Sequence, residues 1–131
     1  MSTKILQLED LRIWKQARAV TLAIYRLSGE GPFSKDYGLR DQTRRAVVSI
    51  EANIAEGFGR GGNREFSQFL AYARGSSMEL HSHITLANTL RYVSNEDAAS
   101  LLEANDHLLR AITKLIRTLS TTKSRGPRFC D

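Results

Sequence analysis

Ala46-Val47-Val48-Ser49-Ile50-Glu51-Ala52-Asn53-Ile54-Ala55-Glu56-Gly57-Phe58-Gly59-Arg60 is the stretch that decides the fold. Ala46, Val47, Ile50 and Ile54 continue backwards through Thr43 and Leu39 as a stripe spaced by three and four residues, the period of one helix face. Arg40 and Arg44 fall on the outside of this helix. Gln42, Arg45, Ser49, Asn53 and Glu56 form a polar row along one flank. Such a row either lies in solvent or hydrogen-bonds a neighbouring helix, fixing register or subunit contacts. The helix is predicted over about 36–58, because Gly57, Gly59, Gly61 and Gly62 each cost roughly 1 kcal/mol relative to alanine within a helix. An interhelical turn is expected there.

The same rhythm continues on both sides. Ile13, Ala17, Val20, Ile24 and Leu27 predict a first helix over about 10–28, with Arg12, Lys15 and Arg26 facing away and Gly29-Glu30-Gly31-Pro32 ending it. Asn63 suits the cap of a third helix over about 64–91, whose inner face carries Phe66, Phe69, Leu70, Leu80, Ile84 and Ala87. Ala73, Gly75, Ser76 and Ser77 keep the middle of that helix small, which suits close approach of a neighbour. Ser94 and Asp97 have the spacing of a capping box for a fourth helix over about 95–120. Its stripe is Leu101, Asn105, Leu108, Ile112, Leu115 and Leu119, in which Asn105 has the character of a register-setting polar core residue. Residues 121–131 lack periodicity and are expected to be disordered. The fold expected is all-α, an antiparallel up-down-up-down four-helix bundle forming one domain over 1–131. Trp14, Tyr25 and Tyr72 flank their stripes, a position that suits helix edges in a monomer and an oligomer interface equally.

A chain of 131 residues with only two prolines has length for one core and little to interrupt helices. No stretch is long and apolar enough to span a bilayer, and no signal-peptide hydrophobic region follows Met1. A cytoplasmic protein without a membrane partner is expected. The single cysteine, Cys130, offers neither an internal disulfide nor a cysteine metal site. Residues 1–109 hold 13 basic and 13 acidic side chains, so the net charge of +5 comes from residues 110–131. There Arg110, Lys114, Arg117, Lys123, Arg125 and Arg128 stand against Asp131. Cations near a helix C-terminus meet the helix dipole favourably. A localised basic end also suits an acidic partner such as nucleic acid.

Few residues offer chemistry. A carboxylate-bridged di-iron bundle needs Glu-x-x-His pairs, and none exists. Glu79 with His83 and Glu103 with His107 are four apart, a spacing that serves surface hydrogen bonds as well as ligation. The run from Gly57 to Gly62, flanked by Arg60 and Arg64, lacks the preceding strand and the Lys-Ser/Thr of a phosphate loop. Glu56 has no evident nucleophile or second catalytic group beside it. No catalytic residue, metal or cofactor is expected, and the protein is not read as an enzyme.

The run Asn53-Ile54-Ala55-Glu56-Gly57-Phe58-Gly59-Arg60 resembles the signature of bacterial proteins encoded in intervening sequences of 23S ribosomal RNA genes. The resemblance extends through Leu8–Trp14, Tyr37–Ile50, Glu65–Leu70 and Gly75–Leu80, covering roughly residues 8–119. Glu51 stands where that family often has proline after Ser-Ile, which favours a straighter second helix. The resemblance implies a left-handed antiparallel four-helix bundle assembled as a homopentamer. The accessory proteins of diversity-generating retroelements look like the same architecture and bind a reverse transcriptase and nucleic acid. The family has no established active site, so Arg45, Ser49, Asn53, Glu56, Gly57, Gly59 and Arg60 carry over as structural signature residues only.

These readings converge on a non-enzymatic homopentamer that binds RNA or DNA through Arg110, Lys114, Arg117, Lys123, Arg125 and Arg128. The alternative is a protein-protein interaction scaffold with no direct nucleic-acid role.

Overall fold

A computed structural model describes residues 7–121, and every regular element among them is helical. A 3-10 turn, Leu8–Asp10, leads into α1 (Arg12–Ser28). A single-turn helix, α2 (Gly31–Lys35), precedes α3 (Tyr37–Arg60), α4 (Asn63–Thr89) and α5 (Asn95–Thr121). Lys123, Arg125, Arg128, Cys130 and the disorder expected beyond Thr121 lie outside the described residues.

The four long helices pack around one core because each carries its apolar stripe inward. Ile13, Ala17, Val20, Ile24 and Leu27 of α1 are buried, as are Ala46, Val47, Ile50 and Ile54 of α3. Phe66, Leu70, Ala73, Leu80, Ile84 and Ala87 of α4 meet Leu101, Leu108, Ile112 and Leu119 of α5 in the same cluster. Each long helix packs against two others: α1 on α3 and α5, and α4 on α3 and α5. Hydrogen bonds fix the pairings. Arg18 and Thr21 of α1 reach Glu51, whereas Ser28 reaches Arg44, earlier on α3. Ser49 of α3 meets Ser76 of α4. Ser77 of α4 meets Asn105 of α5, and Asn88 meets Asn95.

Several local expectations need correction. The first connection is more than a glycine-proline turn: Pro32 sits in the first turn of α2, whose Phe33 is buried and stacks on Tyr92 with ring centroids 5.6 Å apart. Asp36 then caps α3 by accepting from the Leu39 amide at 3.1 Å, and its other carboxylate oxygen accepts from the Tyr92 hydroxyl at 2.9 Å. That hydrogen bond, followed by burial and the Asp36 charge, pushes the Tyr92 hydroxyl above its ordinary pKa. Asn63 is the first residue of α4 rather than its cap, which is Gly62. Gly75 lies in open space and takes no part in close packing. Arg44 is not directed outward. Its guanidinium donates to the Ser28 hydroxyl at 2.8 Å and lies over Tyr25, tying α3 to the end of α1. Arg40 turns back to the Ser34 carbonyl at 3.1 Å.

The largest departure is at the glycines. The helix runs through Gly57 and Gly59 to Arg60, and the turn is confined to Gly61, in the left-handed region at φ 85°, and Gly62. Tertiary contact overrides propensity here. A methyl group at position 57 would stand 2.8 Å from Phe69 Cβ and 2.9 Å from Phe66 Cδ1, so the missing side chain is what lets α4 approach. Phe58 packs edge-on to Phe66 beside this contact, with centroids 6.3 Å apart.

The two helical glycines should therefore respond oppositely to alanine. Gly57→Ala is expected to lower unfolding free energy by about 1–3 kcal/mol through overpacking. Gly59→Ala, with nothing within 4 Å of the added methyl group, is expected to raise it by about 0.5–1 kcal/mol through helix propensity. Urea denaturation of both variants measures the difference, and equal effects would contradict the close-approach argument.

Candidate functional site

The basic residues of α5 differ in their surroundings. Arg110 donates to Asp106 one turn earlier at 2.8 Å, so although its side chain is 80% exposed its charge is partly neutralised. Lys114 and Arg117 are exposed and form no ion pair among the described residues. Lys114 lines a cavity of about 290 Å³ with Leu11, Arg12 and Ile13, which brings the start of α1 beside the last turns of α5.

The signature residues divide between structure and surface. Arg45 is exposed. The Ser49 and Ser76 hydroxyls share a hydrogen bond of 2.9 Å across the α3–α4 seam. Asn53 Nδ2 donates to the Ser49 carbonyl at 2.8 Å and to its hydroxyl at 3.1 Å, holding that contact from one turn further along. Glu56 and Arg60 pair within α3 at 3.0 Å, and the Arg60 guanidinium lies over the Phe69 ring. The polar row thus bonds a neighbour in its middle and faces solvent at Gln42, Arg45 and Glu56. At the glycine turn the Glu65 carboxylate folds back against Gly62, so the start of α4 already has an anion of its own. That arrangement argues against a phosphate cradle.

Two polar contacts between helices matter beyond the signature. Asn105 is 2% exposed. Its Oδ1 accepts from the Ser77 hydroxyl at 2.8 Å, and its Nδ2 donates to the Ser77 carbonyl at 2.9 Å, so a polar pair closes on itself inside an apolar core. The other contact links α1 to α3. Arg18 Nη2 donates to Glu51 at 2.9 Å, Arg18 Nε donates to both carboxylate oxygens, and the Thr21 hydroxyl donates to the same carboxylate at 2.8 Å. Arg18 also covers the Trp14 ring at 4.6 Å. Burial pushes the Glu51 carboxyl up, but the hydrogen bonds from Arg18 and Thr21 and the Arg18 charge together hold it below the usual carboxylate range. The Arg18–Glu51 link escapes a one-dimensional reading. Its one sequence signal is that each residue sits directly beside a stripe position, Ala17 or Ile50.

Among the described residues no group of three or more His, Cys, Asp and Glu side chains is placed to hold a metal ion. Glu79 meets His83 as a surface pair at 3.3 Å, while His107 borders a groove between α1 and α5 with Gln16, Ala19, Ala23 and Ala104. No helix among the described residues is long and apolar enough to cross a membrane.

The family model described as 23S rRNA-intervening sequence protein matches residues 9–114. Among solved structures the chain is similar to a protein of unknown function from the S23 ribosomal protein family of Bacteroides thetaiotaomicron. The two are 18% identical with a TM-score of 0.73, over 80% of this chain and 98% of that one. At this identity the likeness concerns the fold alone. No curated protein matches the chain.

The Glu51 contact gives stability a defined pH dependence. A carboxyl whose folded pKa is depressed contributes stability above its unfolded pKa, and that contribution is lost as pH falls through the folded value. Glu51→Gln should therefore lower the melting temperature near neutrality, by an amount corresponding to roughly 1 kcal/mol or less because Arg18 is well solvated. The gap from the unaltered protein should narrow as the buffer is taken below the ordinary carboxylate range. A gap that stays constant on acidification would rule out the ion pair as its source.

Proposed function

The chain belongs to the 23S rRNA-intervening sequence protein family, and from that premise we propose that it is a non-enzymatic, up-down-up-down four-helix bundle that assembles into a homopentamer and binds RNA or DNA through a basic surface. The observation that carries the reading is the location of the net charge: residues 110–131 hold all of the surplus of +5. Lys114 and Arg117 support it, being exposed cations without a carboxylate partner among the described residues. Lys123, Arg125 and Arg128 follow α5 in sequence and add three more charges. In a closed ring with cyclic symmetry, equivalent ends of the subunits gather on one face, which multiplies the local field. A site of this kind reads phosphates rather than base edges, so its affinity falls steeply with salt and its sequence preference is small. Topologically, the reversed order of contacts between successive long helices supports the alternating direction of the bundle.

Size exclusion with light scattering, run with and without a short RNA at low and high salt, tests the proposal. A mass near five subunits that increases with RNA at low salt alone is the expected result. A pentamer indifferent to RNA at low salt would instead favour a protein-interaction scaffold, and a monomer would remove the ring on which the argument for a multiplied charge depends.

A further inference from the structure

The cavity beside Lys114 joins two cations from opposite ends of the chain. Leu11, Ile13, Ala111 and Leu115 line it together with Arg12 at the start of α1 and Lys114 of α5. Leu11 and Ile13 are buried, Ala111 and Leu115 are half-buried, and Arg12 and Lys114 are exposed. The apolar side chains are thus the floor of a cleft and the two cations its rim. Neither cation forms an ion pair among the described residues. Among the described residues no carboxylate lines the cleft. Asp10, the carboxylate nearest to Arg12 in sequence, accepts from the Gln7 amide at 3.2 Å. Thr118 also borders the cleft, and its hydroxyl donates to the Lys114 carbonyl at 3.0 Å.

This combination selects an occupant. An apolar cleft alone suits another apolar surface, and cations alone suit a bare anion. An apolar floor between two unpaired cations suits a group that joins a flat apolar body to a negative charge. At about 290 Å³ the cleft has room for one ring system rather than an extended chain, being at the lower edge of the size range of small-ligand sites. A nucleobase with its phosphate is such a group. Apolar side chains accept the ring face, a guanidinium plane stacks on it, and an ammonium meets the phosphate as a point charge. The leucine, isoleucine and alanine side chains of the floor carry no hydrogen-bonding group, so the ring would be held by its face and not by its edge.

We propose that the α1–α5 cleft holds one unstacked base of a single-stranded nucleic acid, with the ring on Leu11, Ile13, Ala111 and Leu115, the Arg12 guanidinium against it and the adjoining phosphate on Lys114. This rests on the nucleic-acid reading above and adds a preference that charge alone does not give. A basic end without a cleft favours the duplex, whose phosphates are more densely spaced. A cleft for a base favours the single strand, because a paired base cannot enter it without leaving the stack. Any base presents a ring face, so the preference for strandedness comes with little preference for sequence.

The test is fluorescence anisotropy of the full chain at low salt with labelled poly-U RNA, poly-dT DNA, a DNA duplex of the same length, and an abasic DNA strand that keeps the phosphates and lacks the bases. The unaltered protein is expected to bind poly-U or poly-dT at least about fivefold more tightly than the abasic strand, since stacking one base is worth about 1 kcal/mol or more. It should also bind them more tightly than the duplex. Ala111→Leu, which fills the floor, should remove the margin over the abasic strand and leave abasic binding unchanged. R12K keeps the charge and loses the guanidinium plane, so it should weaken binding to the base-bearing strands alone. L86Q, which alters an exposed apolar side chain of α4 outside the cleft, should change no affinity. The cleft is refuted, with the nucleic-acid reading intact, if the unaltered protein binds base-bearing and abasic strands equally or prefers the duplex. It is refuted likewise if A111L stays helical by circular dichroism and keeps the full margin. Should A111L lose helix, R12K and the abasic comparison decide the matter on folded protein. If the unaltered protein binds no oligonucleotide at low salt, the cleft and the nucleic-acid reading fall together.

Discussion

The absence of a side chain at Gly57 is the constraint on which the arrangement of the helices depends. With Phe66 and Phe69 lying where a methyl group would be, α4 can settle against α3 at the glycine turn, and the two residues Gly61 and Gly62 suffice to reverse the chain. A wider approach would separate Ser49 from Ser76, whose hydroxyls meet two turns further along the same seam. Asn53 then braces Ser49 from within α3. A close contact at one end and a hydrogen bond in the middle define both the distance and the register of this helix pair. The rest of the core packs on it.

The apolar stripes were legible because periodicity is a property of the chain alone, and burial follows it from Ile13 to Leu119 except at Leu39, Phe69 and Leu115, which are only partly buried. What was not legible belongs to pairs. Gly57 and Gly59 look alike in sequence, yet one is buried against two phenylalanines and the other stands in open space. Propensity treats both as helix breakers, whereas the tertiary contact requires a glycine at Gly57. Arg44 reads as an outward charge on a helical wheel, but its long stem carries the guanidinium to Ser28 and Tyr25. The α2 turn was hidden because Gly29-Glu30-Gly31-Pro32 reads as a stop, and the proline that stops α1 is also well suited to the first turn of a new helix.

The candidate site shows the same division. Arg110, Lys114 and Arg117 emerge from counting charge along the chain. The fold then separates them, because Asp106 one turn earlier accepts from the Arg110 guanidinium at 2.8 Å while Lys114 and Arg117 form no ion pair among the described residues. Net charge by segment is therefore a poor guide to the field at a surface shared between helices. Glu51 makes the complementary point: in the count it cancels one charge, and in the fold it is bound by Arg18 and Thr21 and belongs to the α1–α3 contact.

Asn105 decides how α4 and α5 meet. A purely apolar α4–α5 interface would tolerate sliding, because leucine and isoleucine stripes offer similar contacts one turn apart. Ser77 and Asn105 remove that freedom: a slip of one turn, about 5.4 Å, would strand buried donors and acceptors in an apolar interior. Replacing the pair by well-packed apolar residues could leave stability unchanged or improve it, since buried polar pairs specify more than they stabilise. The hydrogen bonds at Ser77 therefore act chiefly on geometry. They set the register in which α4 lies on α5.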